Sequence, residues 1–317
     1  MDKNIKLPKI AMGAWSWGAG TAGGDQVFGN HLEAKDLQPI FSAAMEQGLN
    51  LWDTATVYGM GASEDILGGF IRQTDRDKVL VSTKFTPQIA GMYEDSVEKM
   101  ALASCQRLGI DTIDLYWIHN PADVERWTPQ LIPLLKNGRV KAVGVSNHNL
   151  AELRRANEIL REQGCKISAV QNHYSLLNRS SEASGILDYC RQQGMTFFAY
   201  MVLEQGALSG KYDTRHPFPE GSDRARTYNP VLAQLEALTG AMAETGARHG
   251  LSVAQVGTAW AVSKGVLPII GVTKVRHVED AAKAAEVTLS ADEIAHLEEL
   301  ADKAGVNTIR EWEKKME

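Results

Sequence analysis

Short apolar runs that end on polar residues alternate along the chain with longer stretches of helical spacing. The apolar runs fall at residues 6–13, 49–54, 79–85, 113–119, 140–147, 168–172, 196–200 and 266–271. Their length and apolar, largely β-branched or aromatic content read as buried strands. Between them, 36–47 carries Leu37, Ile40, Phe41 and Ala44 on one helical face and stops at Gly48. Helical spacing also predicts helices at 93–108, 129–136, 149–162, 182–193, 232–249, 252–262 and 278–285, and a last one after Ser290. A further helix opens at residues 61–63, with Ser63 as its expected N-cap. Asn149 with Glu152, Ser252 with Gln255 and Ser290 with Glu293 have capping-box spacing.

Eight strands, each followed by a helix, close into a (β/α)8 barrel, expected as a single domain over 1–317. A short N-terminal strand or hairpin and an extra C-terminal helix complete it. An open doubly wound sheet is disfavoured, because no Gly-x-Gly-x-x-Gly follows the first strand. The rhythm breaks at 206–230, a polar excursion with Pro217, Pro219 and Gly221, and loops of this length are usually functional or disordered.

Charge alters the picture little. A net charge of −6 with bases dispersed argues against a nucleic-acid surface. No apolar run reaches membrane-spanning length and no apolar leader opens the chain, which points to the cytoplasm. Cys105, Cys165 and Cys190 are expected as buried thiols, and no metal-ligand spacing stands out.

The candidate chemistry sits where strands end. Asp53, Lys84 and His119 terminate the second, third and fourth runs, and Tyr58 lies on the turn beyond Asp53. A barrel sets these ends side by side at the face where barrel enzymes react. There Asp53 pairs with Lys84, and the ammonium is expected to lower the Tyr58 phenol from about 10. Trp15, Trp17, Tyr58, Trp117 and the 206–230 excursion are expected to shape a pocket, with alternation along the fourth strand leaving Trp117 free to point either way.

Several stretches carry a family resemblance. They are Leu51-Trp52-Asp53-Thr54-Ala55-x-x-Tyr58-Gly59-x-Gly61-x-Ser63-Glu64, Ser82-Thr83-Lys84, His119 with Pro121, Gly144-Val145-Ser146-Asn147 and Gln171-Asn172. In order and spacing the chain resembles the aldo-keto reductases. The resemblance implies an NADP-dependent oxidoreductase that reduces a small aldehyde or ketone, with NADP(H) favoured over NAD(H). Tyr58 would be the proton donor, Lys84 paired with Asp53 would tune it, and His119 would orient the carbonyl oxygen. Gly13 and Trp15 match positions near the nicotinamide ribose, and Ser146, Asn147 and Gln171 the carboxamide contacts. Tyr200 matches the ring that stacks on nicotinamide. Met201, Leu203, Gln205, Gly206, Ser209 and Lys211 fall on the pyrophosphate loop. Gly271, Thr273, Lys274, Arg276, His277 and Asp280 fall on or beside the adenosine 2′-phosphate stretch.

The chain departs from the family at Met201-Val202, Asn120 and Asp280-Ala281. The resemblance also allows a redox-sensing, NADP(H)-binding regulatory subunit with slow turnover. A barrel isomerase with Lys84 as base would need no nicotinamide. His148 and His173 read as structural. Oligomeric state is open.

Overall fold

A computed structural model describes residues 7–310, 313, 314 and 316. Eight parallel strands close into a barrel in sequence order. They are β1 Ala11–Gly13, β2 Leu51–Asp53, β3 Leu80–Phe85, β4 Leu115–Ile118, β5 Val143–Ser146, β6 Ala169–His173, β7 Thr196–Tyr200 and β8 Leu267–Gly271. β1 closes the ring, pairing with β2 on one side and β8 on the other. The short N-terminal strand is thus the barrel's own first strand, and no hairpin partner pairs with it among the described residues.

Strand side chains alternate between two cores. Ala11, Leu51, Leu80, Leu115, Trp117, Ala142, Ala169, Phe198 and Leu267 fill the barrel interior. Met12, Trp52, Val81, Phe85, Tyr116, Ile118, Val143, Val145, Val170 and Phe197 face the surrounding helices. This two-residue period positions the site. Counting up from Leu51, Leu80 and Leu115 on the inner face, the next inward positions are Asp53, Ser82, Lys84, Trp117 and His119.

All three expected capping boxes form, on the helices Leu150–Arg161, Val253–Ser263 and Ala291–Ala304. The remaining boundaries show where local chemistry overrides periodicity. Ser63 does not cap its helix. Gly61, at φ 101°, holds the N-cap position of Ala62–Ile71. Ser63 Oγ instead donates to Ala14 O at 2.8 Å and lies 2.8 Å from Thr54 Oγ1, clamping the β1 and β2 ends together. The helix expected from residue 93 starts at Val97, because Ser96 Oγ accepts from Lys99 N. The one expected from 182 starts at Ile186, after a left-handed Gly185. The one expected from 129 starts at Leu131.

The 206–230 excursion contains a short helix, Asp223–Tyr228, and a small core of its own. Tyr212 stacks on Phe218 with centroids 3.8 Å apart. Cys105 and Cys190 are buried free thiols, whereas Cys165 is only half-buried. Among the described residues no helix is long and apolar enough to cross a membrane.

Candidate active site

β2 and β3 deliver a buried ion pair to the barrel mouth. Lys84 Nζ lies 2.6 Å from Asp53 Oδ2, and neither side chain is more than 4% exposed. A pair this deep is sound only when its other hydrogen-bonding capacity is met. Lys84 also donates to Thr54 O at 2.7 Å. Asp53 Oδ1 accepts from Ser82 Oγ at 2.7 Å and from Gln171 Nε2 at 3.2 Å. Trp117 Nε1 in turn donates to Ser82 Oγ at 2.6 Å. Trp117 is therefore an interior residue that supports the pair from within the barrel. It lies on the bare Cα of Gly144, where a Cβ would come within 2.3 Å of its ring.

Tyr58 closes over this pair, with Lys84 Nζ 4.9 Å from its ring centroid. The turn that carries it runs through left-handed Gly59 and Met60. The sequence-based expectation of a lowered phenol pKa is corrected here. Burial raises Tyr58 above its ordinary value; Lys84 pulls the other way and loses, with Asp53 adding to the rise. Lys84 itself stays charged: burial works against it, but Asp53 and Tyr58 outweigh burial and raise its pKa. The result is a protonated phenol beside a fixed cation.

His119 faces Tyr58 edge-on at 5.8 Å between centroids. Its Nδ1 lies 3.0 Å from Thr86 Oγ1, which holds the ring. Burial, then the Lys84 charge, keeps its pKa well below the usual imidazole value. The ring is neutral at pH 7 and able to hydrogen-bond without carrying charge.

Trp15 stands 6.2 Å from Tyr58 and 5.1 Å from Phe28, so it does lay an aromatic wall beside the site. Trp17 does not. It is fully buried among Trp52 and Phe70, its indole donating to Val272 O at 2.7 Å.

Around the rim, Ser146 is buried at the β5 end. Asn147 follows at φ 61°, Nδ2 donating to His119 O at 3.0 Å and Oδ1 lying 2.6 Å from the Tyr200 hydroxyl oxygen. Gln171 is engaged by Asp53, as above. Gly13 and Gly271 pair at the β1–β8 seam. The loop after β7 holds Met201, Glu204 and Gln205 at positive φ, between 48° and 60°. Leu203 O accepts from Gly206 N at 2.8 Å, and Gly206 O from the Ser209 hydroxyl.

Lys274 occupies the N-cap of the helix Val275–Ala285 without a side-chain cap bond. His277 Nδ1 lies 3.2 Å from Thr273 N. Burial lowers His277, helped by the charges of Lys274, Arg276 and Lys211. Lys274 and Arg276 stand together at this helix start, an arrangement suited to a phosphate. Asp280 accepts from Gln255 Nε2 at 2.9 Å and pairs with Arg276 at 3.5 Å. Of the departures from the family pattern, Asn120 forms a two-way amide pair with Gln88 at 2.8 Å, and Ala281 is buried in the outer core.

A family model described as the aldo/keto reductase family matches residues 9–302. The chain belongs to this family. Membership makes it an oxidoreductase acting on carbonyl groups. It is similar to a chloroplastic pyridoxal reductase of Arabidopsis thaliana, 31% identical over 93% of this chain and 83% of the relative. An aldo-keto reductase of Gibberella moniliformis is likewise 31% identical, with 90% of each covered. The fold matches a glycerol dehydrogenase of Gluconobacter oxydans at TM-score 0.77, 24% identity, 97% of this chain and 95% of that one. An NADPH complex of an aldo-keto reductase from Klebsiella pneumoniae matches at TM-score 0.75 and 24% identity, with 98% and 95% covered.

Sequence reasoning missed Ser82 and Thr86 as supports of Asp53 and His119. The two-residue period of β3, already visible around Lys84, marks Ser82 as an inward neighbour. His148 and His173 are not a pair. His148 Nδ1 lies 2.8 Å from Ser146 O, whereas His173 sits between Glu204 and Glu313.

Because Asp53 neutralises a fully buried cation, Asp53→Ala should cost about 3–5 kcal/mol of stability, against under about 1 for a surface pair. Urea unfolding checks this, and a loss in the surface range would show that the pair is not buried in solution.

Proposed function

We propose that the protein is an NADP(H)-dependent reductase of a small aldehyde or ketone, with Tyr58 as proton donor, Lys84 and Asp53 as its electrostatic support and His119 as orienting group. One observation carries this reading: the Tyr58 ring lies 4.9 Å from a buried lysine paired with Asp53 and edge-on to the His119 imidazole. Reduction of a carbonyl builds negative charge on oxygen, so donors must converge there. Tyr58 is protonated at pH 7 and delivers that proton. The phenolate left behind is offset by Lys84, whose charge Asp53 holds in place. His119, fixed through Thr86, contributes a hydrogen bond without a competing positive charge.

The residues fit a dinucleotide phosphate. Lys274 and Arg276 at the helix start suit the 2′-phosphate, the positive-φ loop with Gln205, Gly206 and Ser209 suits the pyrophosphate, and Ser146, Asn147, Gln171 and Tyr200 lie at the strand ends of the barrel mouth. Bound there, the cofactor supplies a hydride for the carbonyl carbon. A fission yeast relative, 29% identical, is named for NADP(+), in keeping with this choice. The resemblance to a pyridoxal reductase makes a heteroaromatic aldehyde a sensible first substrate to test. Trp15, Phe28 and Tyr58 offer the flat apolar surface such a ring packs against.

Tyr58→Phe should lower kcat for carbonyl reduction about 10²–10⁴-fold, the usual worth of a general acid, while NADPH affinity stays within about threefold. Reduction that survives at the wild-type rate would move the acid elsewhere. Lys274→Ala with Arg276→Ala should weaken NADPH by at least about tenfold, the worth of a charge-assisted contact, and NADH by much less. Titration with both cofactors checks this, and equal weakening would remove the 2′-phosphate assignment.

A further inference from the structure

Beyond the last helix, Thr308, Arg310 and Glu313 are tied by polar contacts to the ends of β6 and β7 and to the loop after β7. Glu313 has a side chain only 2% exposed. Its Oε1 accepts from Tyr200 OH at 2.8 Å, and its Oε2 from His173 Nδ1 at 2.9 Å and Arg310 N at 3.1 Å. His173 Nε2 bonds Glu204 Oε1 at 2.8 Å. The imidazole is thus held between two carboxylates, one from the loop after β7 and one from the C-terminal segment. Burial alone would discharge His173, but Glu204 and Glu313 outweigh it and push its pKa up to about 9.

The same segment grips the loop at two further points. Thr308 Oγ1 donates to Glu204 Oε1 at 3.1 Å. Arg310 reaches Gln205 Oε1 at 3.0 Å, Tyr228 OH at 2.6 Å and Thr227 Oγ1 at 2.6 Å. Glu204 and Gln205 are two of the three non-glycine residues at positive φ in that loop. Such conformations persist only where the surroundings over-determine them; here Thr308 and Arg310 contribute to that surrounding beside His173, Ser175 and Tyr228.

We propose that Glu313 is a positioning residue of the cofactor site: seated between His173 and Tyr200, it fixes the Tyr200 phenol, while Thr308 and Arg310 brace the 201–206 loop. This rests on the reading of Tyr200 and that loop as cofactor contacts. Nothing in the family motifs at 13–285 points to Glu313. Its role comes from its contacts, through which it acts on Tyr200 and His173 rather than on the reacting atoms. Tyr200 OH also bonds Asn147, whose amide holds His119 O, so the ring's placement is shared between the site and the segment.

The test is NADPH binding to the full chain, read by quenching of tryptophan fluorescence, with steady-state rates at saturating NADPH beside it. Glu313→Ala should raise the NADPH Kd about tenfold and leave kcat within about twofold, the signature of lost binding rather than lost chemistry. Glu313→Gln, which keeps length and an acceptor oxygen, should recover to within about threefold of wild type. Because Glu313 acts through Tyr200, Glu313→Ala with Tyr200→Phe should be no weaker than the worse single variant. Unchanged or tighter NADPH binding by Glu313→Ala, or strictly additive losses in the double variant, overturns the proposal. Should Glu313→Ala not fold, Arg310→Gln decides: about threefold weaker binding supports the brace and unchanged binding refutes it. A wild-type protein that binds no NADPH removes the cofactor reading and this inference with it, whereas binding that ignores Glu313 removes this inference alone.

Discussion

A lysine with no exposure to water must keep its charge, and that requirement governs the mouth of this barrel. Left alone, burial would strip the proton from Lys84. Asp53 prevents this at 2.6 Å, and Asp53 can face inward beside it only because β2 and β3 run in parallel register with Asp53 opposite Ser82. The carboxylate then needs its own donors, which are Ser82, Gln171 and Lys84. Ser82 is in turn held by Trp117, which needs Gly144 bare beneath its ring. A chain of contacts running through β2 to β6 therefore exists to keep one cation in place.

What the cation does follows from the two groups above it. Tyr58 and His119 are both driven toward their neutral forms by burial, and for His119 the Lys84 charge works in the same direction. For Tyr58 it works in the opposite direction. One charge thus keeps the imidazole from competing for a proton and makes loss of the phenol's proton less costly. A neutral hydrogen-bonding group and a supported acid side by side are what a developing alkoxide requires.

Much of this was legible in the chain. Leu51-Trp52-Asp53 and Val81-Ser82-Thr83-Lys84 announce inward polar residues at strand ends, and the three capping boxes fix helix starts without reference to anything distant. Other features depended on packing that no local pattern carries. Ser63 looks like a cap but is recruited by Ala14 and Thr54 from the neighbouring strand ends. Trp17 looks like a loop aromatic but has Val272 O waiting for its indole. The Tyr58 shift came out upward because burial, invisible in a five-residue motif, exceeds the pull of Lys84. Glu313 lies 113 residues from Tyr200 in sequence, and nothing in a charged tail distinguishes a carboxylate that docks from one that is solvated.

The most direct test of the central claim is the titration of Tyr58 itself. Tyrosine labelled with carbon-13 at the ζ position reports phenol ionisation by NMR, and Tyr58→Phe assigns the resonance. The wild-type phenol should titrate above about 10, the ordinary value. In Asp53→Asn with Lys84→Met, which removes the pair without leaving either charge buried alone, it should titrate higher still, because the opposing pull of Lys84 exceeds that of Asp53. A Tyr58 pKa that is unchanged or lower in the double variant would contradict the claim that Lys84 supports the phenolate.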